Sequence, residues 1–273
     1  MEYIKINNLH FNKYTLSGVI LEGATYGIIG KDDDVTSLLK ILAGINTNND
    51  SCTHNGTNIF DEYDFFKNRL FIDLSQQIVC TTNAEMIKND LNIRYGVSFD
   101  VKKYKNAMNE TNARSEINVT SEYEFSNAGI NKTAYAVLCG LNYPYLFVDN
   151  PFNYIKKEEH LIIDKMVNNI IDRANHKVVV INANDISNLV KYLDFLIILG
   201  DYENVYIIRP NSDKFIITDD YVGLNNRIFR KDNVVIIKAP DEKEEYKELK
   251  RIVRRYKEVD FMEAYSYYIG KEK

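Results

Sequence analysis

Between Gly27 and Gly44 the sequence reads GIIGKDDDVTSLLKILAG: an apolar run ending at glycine, a short polar loop, then apolar residues at Leu38, Leu39, Ile41, Leu42 and Ala43. The run predicts a buried strand, the spacing predicts a helix with one broad buried face, and Gly44 suits the helix end. A strand turning through glycine into a helix is a frame that holds phosphate, because the helix N-terminus presents unpaired N–H groups and a positive dipole end. Here the loop carries Asp32, Asp33 and Asp34, with Lys31 as its one cation. Two like charges about 4 Å apart repel by roughly 4 kcal/mol at an intermediate effective dielectric. A triphosphate would meet that penalty. The other use for such carboxylates is to cap the helix as a solvated acidic turn.

Around this frame, YIKI, VILEG and TYGIIG read as short strands, and Asn46 to Asn58 as a polar, asparagine-rich loop before the strand-like RLFIDL. Residues 78 to 138 are mostly polar and helical in pattern, which predicts an inserted helical lobe. PYLFVDNP is a fully buried strand ending at an acidic tip. EEHLIIDKMVNNIIDRA is an amphipathic helix with Leu161, Ile162, Met166, Ile170 and Ile171 on its inner side. KVVVIN and DFLIIL are two more buried strands around a second helix. Such alternation implies a parallel sheet with right-handed crossovers. From about Tyr206, VYIIRP, KFIIT and NVVIIKAP lead to the charged helix DEKEEYKELKRIVRRYKEV, a solvated face with internal ion pairs, and to the aromatic FMEAYSYYIG.

A chain of 273 residues with 45% hydrophobic and 27% charged residues can bury a substantial core. Its net charge of -5 offers no broad field for nucleic acid. Cys52, Cys80 and Cys139 lack the spacing of a disulfide frame or zinc site, and His10, His54, His160 and His176 are scattered. The opening MEYIKINNLHF alternates like a strand and predicts no signal peptide. The longest apolar runs fall far short of about 18 residues, which predicts no membrane span.

In their order, the pieces resemble the nucleotide-binding subunit of ATP-binding cassette transporters: phosphate loop, glutamine loop, helical lobe, signature, acidic strand and switch segment. SNAGINKTAYAVLCGLNYPYLFVDNP fits the family spacing from its signature serine, Ser126, to its acidic-strand aspartate, Asp149, without a gap. Pro144 falls within one residue of the family's usual proline. INANDISNLVKYLDFLIIL resembles the switch-histidine segment through to the aspartate at Asp194. The resemblance spans roughly residues 1 to 205. It implies a P-loop NTPase-like α/β sheet core with an antiparallel β part, the lobe, and a small C-terminal α+β extension over residues 206–273. That extension loosely resembles endings of bacterial exporter ATPase subunits.

Each departure from the family removes a chemical function. The loop is one residue short. Counting from Gly30 puts Thr36 in the lysine position and Ser37 in the magnesium position; counting back from LLKILAG puts Val35 in the lysine position. Neither count supplies a lysine. Asp149 matches the magnesium aspartate, but Asn150 replaces the glutamate that polarises water and cannot accept a proton. Asn184 replaces the switch histidine and cannot carry positive charge. Lys156 replaces an aspartate beyond the acidic strand. Either Gln76 or Gln77 matches the glutamine loop, or the pair simply forms a structural turn. The signature is FSNAG, in which Ser126 keeps its hydroxyl while Asn127 and Ala128 add side chains before Gly129.

The resemblance therefore implies negligible ATP hydrolysis by this chain alone and no catalytic residue, since phosphoryl transfer depends on positioning and charge stabilisation. ATP with Mg2+ enters only if the altered site still binds it, through Gly30, Thr36, Ser37, Gln76, Gln77, Asp149, Asn150 and Asn184, with Ser37 and Asp149 on the metal. The implied role is a partner subunit, in a heterodimer more than a homodimer, beside another cassette ATPase and a membrane-spanning exporter subunit. Ser126 to Gly129 would face the partner's site. The implied location is cytoplasmic and peripheral at the inner face of the cell membrane, with no nucleic acid. Two alternatives are a regulatory or scaffold protein using the fold without nucleotide, and a divergent active ATPase.

Overall fold

The computed structural model describes residues 3–47, 50–118, 124–156, 158–172, 176–184, 189–219, 227–253 and 255–269. The chain opens with the antiparallel pair β1 (Tyr3–Phe11) and β2 (Tyr14–Leu21). β3 (Thr25–Ile29), buried at all five residues, runs into α1 (Asp32–Leu42), which buries Val35, Leu38, Leu39, Ile41 and Leu42. Gly44 ends this helix with φ +64°, and a Cβ there would stand 2.7 Å from the Ile59 carbonyl oxygen. Only glycine satisfies both demands.

The stretch expected to be a plain polar loop contains the short strands β4 (Cys52–His54) and β5 (Thr57–Asn58). Asn55 and Gly56 both take positive φ, 51° and 87°. That is the two-residue hairpin turn which asparagine–glycine favours. Together the four strands form an antiparallel sheet in the order β2-β1-β4-β5.

After α2 (Tyr63–Asn68) comes β6 (Arg69–Asp73). The lobe is built from α3 (Ala84–Tyr95), α4 (Val101–Glu110), the paired strands β7 (Ile117–Asn118) and β8 (Glu124–Phe125), and α5 (Asn127–Gly140). Asn83, Asp100 and Ser126 cap the three helices, the first two accepting two backbone N–H groups of the first turn and Ser126 one. Gly140 lets the lobe close, since a Cβ there would lie 2.3 Å from the Phe99 ring.

β9 (Tyr145–Asp149), α6 (His160–Ile170), β10 (Val178–Asn182), β11 (Phe195–Ile198) and β12 (Tyr206–Ile208) complete the central sheet, ordered β12-β11-β3-β10-β9-β6. Every pairing in it is parallel except β11 with β12. Asp194 braces the start of β3, where the Thr25 N–H donates to its carboxylate at 2.8 Å. The helix expected between β10 and β11 falls partly on residues 185–188, outside the described residues, and a short 3-10 turn at Val190–Tyr192 leads into β11.

Of the inner side expected for α6, Met166, Ile170 and Ile171 are buried and Ile162 is half-buried, but Leu161 is not. Ile163, Met166, Val167 and Ile170 are buried, while Leu161 is 75% exposed. The C-terminal part also differs from expectation. β13 (Phe215–Thr218), β14 (Arg227–Lys231) and β15 (Val234–Lys238) precede α7 (Lys243–Ile252), which stops short. YKEV becomes β16 (Tyr256–Val259), pairing with β13 in the order β14-β15-β13-β16. The closing aromatic segment is α8 (Phe261–Ile269), whose Tyr268 ring stacks on Phe229 at 4.3 Å. Among the described residues no helix is long and apolar enough to cross a membrane.

Candidate functional site

The C-terminal ends of β3, β6, β9 and β10 converge, and the loop after β3 lies among them. Gly30 packs so closely on the next strand segment that a Cβ would meet the Leu199 Cβ at 2.6 Å. Its N–H donates to Asn184 Oδ1 at 3.1 Å, and Asn184 Nδ2 donates to the Asp32 carboxylate. Asp34 accepts from Asn12 Nδ2, in the β1–β2 turn, at 2.6 Å. Beside it the Tyr14 hydroxyl is pushed up to about 12, by burial first and by the Asp34 charge second. The N-cap of α1 is Lys31, which makes no side-chain capping bond. Asp32 and Asp34 thus bind side chains of other segments, in place of the capping role open to them in the sequence.

Asp149 is fully buried. Its oxygens accept from Thr36 Oγ1 at 2.5 Å, Asn182 Nδ2 at 2.8 Å and the Asn150 N–H at 3.0 Å. The hydroxyl that meets Asp149 is therefore that of Thr36 and not Ser37, the half-buried next residue of α1. Val35, just before it, is wholly buried in the apolar core.

Asn150 adopts φ +48°, a left-handed conformation that asparagine tolerates. Its Nδ2 donates to Asp73 Oδ1 at 3.0 Å, and its carbonyl accepts from Asn131 Nδ2 at 3.2 Å. Burial pushes the Asp73 carboxyl up, but hydrogen bonds from Ser75, Asn150 and Gln76 outweigh it and hold the carboxyl below its ordinary range. Gln76 belongs to this cluster. Gln77 turns away, its Nε2 donating to the Val79 carbonyl at 3.3 Å.

The signature residues form a separate group. Ser126 Oγ accepts the Gly129 N–H at 3.0 Å and donates to Glu116 Oε2 at 3.0 Å. Gly129 is required by its neighbour: a Cβ there would lie 2.8 Å from the Glu116 carbonyl oxygen. Asn127 is exposed and Ala128 half-buried. Behind them Lys132, 1% exposed, pairs with Glu159 at 2.8 Å and Glu116 at 3.6 Å. The Lys156 side chain is exposed, and its N–H donates to Glu159 Oε2 at 3.2 Å. Among the described bonds none joins Ser126 directly to Gly30, Thr36 or Asp149.

Sequence reading passes over Asp73, Asn131, Asn182, Lys132, Glu116 and Glu159. A signal exists for two of them. Asn131 and Lys132, with Thr133 beside them, are buried polar residues in a helix that is apolar over most of its buried length, where a charge needs a partner.

A parallel sheet with an antiparallel sheet at its side, an inserted helical lobe and a strand-loop-helix at the strand ends defines the fold of ATP-binding cassette ATPase subunits. The solved structures bear this out. The ATP-binding subunit of an ABC transporter superposes with TM-score 0.56 at 15% identity, over 76% of this chain and 89% of that one. CbiO1 from Clostridium perfringens, part of the ABC transporter complex cbiONQ, gives 0.54 at 14% identity, over 76% and 88%. A bacterial Atm1-family ABC exporter with ATP bound gives 0.55 at 14% identity, over 75% of this chain but 38% of that longer one. No protein-family model matches the sequence, and no curated protein matches it.

Proposed function

We propose that this chain is a non-hydrolysing ATP-binding cassette subunit, whose central sheet runs past the expected boundary at residue 205 to β12 at Ile208 before the C-terminal extension, and that it works beside an active cassette ATPase and a membrane-spanning subunit of an exporter. It would sit peripherally at the inner face of the membrane. The observation that carries this reading is the contact of Thr36 with Asp149 while Val35 lies buried in the core. The hydroxyl and the carboxylate of a cassette site are retained there, and the cation that would grip a γ-phosphate is replaced by an apolar side chain. Asn150 in the position after Asp149 cannot take a proton from water, and Asn184 cannot lend charge to a transition state.

The residues do not fit a magnesium triphosphate. While the loop is closed, the Gly30 N–H is spent on Asn184 and two carboxylates of the loop are fixed beside it. What the chain can offer is its signature face. Ser126 is exposed at the head of α5, a 14-residue helix whose N-terminus favours an anion, and its hydroxyl would turn from Glu116 to meet one. Neighbours of this fold act in transporter complexes, as the cbiONQ component does, and this supports a partner whose site Ser126 to Gly129 would complete.

The test is ATP turnover by the complex of this chain with its partner ATPase. Replacing Ser126 with tryptophan should abolish most of the partner's activity while the complex stays assembled. Unchanged turnover would remove the role of the signature face. It would leave the second reading, a scaffold that uses the fold without nucleotide, which the internally satisfied loop also favours.

A further inference from the structure

The three aspartates of the loop are not equivalent, and their bonds divide them. Asp32 is held by Asn184, whose other amide atom is already on the Gly30 N–H, so one carboxamide spans both ends of the turn. Asp34 is held by Asn12, a residue fixed at φ +48° in the β1–β2 turn. That turn is braced in its own right: the Tyr14 hydroxyl donates to the Gly200 carbonyl at 3.2 Å, and Lys13 donates to the Asp201 carbonyl at 3.3 Å. Asp201 in turn accepts from the Tyr268 hydroxyl of α8 at 3.0 Å. Asp33, between them, is exposed.

We propose that Asp32 and Asp34 latch the loop shut from within, taking the place of an external phosphate through bonds to Asn184 and Asn12. The proposal rests on reading the loop as a former phosphate seat. A carboxylate bonded to a neutral carboxamide keeps its negative charge, so an incoming anion must both break the bond and face the charge. Capping is not the use of these side chains, because Lys31 holds the N-cap position without a side-chain bond. The C-terminal extension enters through Tyr268, which holds Asp201 beside the turn that carries Asn12.

The position of the charge, and not its amount, separates this latch from plain acidity. Asp32→Ala and Asp33→Ala remove the same charge from adjacent residues, but only the first opens a latch. Thermal unfolding in increasing magnesium tripolyphosphate reads the difference. The native chain and the Asp33→Ala variant should show no rise in Tm, and Asp32→Ala a rise that grows with ligand concentration. Asp34→Ala provides the same test should Asp32→Ala fail to fold. A rise in the native chain, an equal rise for Asp33→Ala, or none in a folded latch variant would overturn the proposal. ATP turnover by the native chain would instead overturn the functional reading, so the two failures are distinguishable.

Discussion

At the scale of the residue, the strongest commitment in the chain is Lys132, a buried ammonium tied to Glu159 and Glu116. Removing one partner of a buried pair costs more than the pair contributes, because the other is left uncompensated. Here the carboxylates left behind still reach water, so Lys132→Met should lower stability by about 1–3 kcal/mol, measured by urea unfolding. Burial pushes the Glu159 carboxyl up, but the Lys132 and Lys156 contacts outweigh it and hold it below its ordinary 4.5. A carboxyl lowered in the folded state stabilises above its unfolded value and stops doing so as pH falls through the lowered one. The stability gap between the native chain and Glu159→Gln should therefore be full at neutral pH and close below 4.5. Unfolding curves over that range would show it; a gap that persists in acid would assign it to packing. At this scale the sequence is only partly legible. The family resemblance puts Asp149, Asn150 and Asn184 in one neighbourhood, but a loop one residue short cannot say whether Thr36 or Ser37 meets Asp149. That is decided by the turn of α1 over β9.

At the scale of the element, sequence and structure part where two periods compete. EEHLIIDKMVNNIIDRA has apolar residues at adjacent positions, so the face of Met166 and Ile170 can be widened either by Leu161 and Ile162 or by Ile163 and Val167. The structure buries Ile163. Met166→Ala should thus cost about 2–5 kcal/mol, while Leu161→Ser should change stability by less than about 0.5 kcal/mol. A large effect of Leu161→Ser in chemical denaturation would restore the other phase or point to a partner on that face. YKEV reads as helix because its charges continue the helical pattern, yet its backbone pairs with β13 through long-range bonds that local propensity does not encode. Gly44 is legible as a helix end, and Gly44→Ala should cost about 1–3 kcal/mol through its left-handed backbone, with the Ile59 carbonyl adding to the strain.

At the scale of the whole molecule, the central sheet is the part most easily foreseen. TYGII, YLFVD and VVVIN are buried on both faces, and such runs separated by helices leave few arrangements besides a parallel sheet. The hydrogen bonds that close the site are not foreseeable, since Asn12 and Asn184 reach the loop from 22 and 152 residues away. The core of the proposal is that this scaffold persists without its phosphoryl-transfer chemistry. Steady-state ATP hydrolysis by the purified chain in saturating magnesium ATP tests this most directly. The predicted result is turnover indistinguishable from a protein-free control; turnover that rises with enzyme and is lost on Asp149→Asn would contradict it.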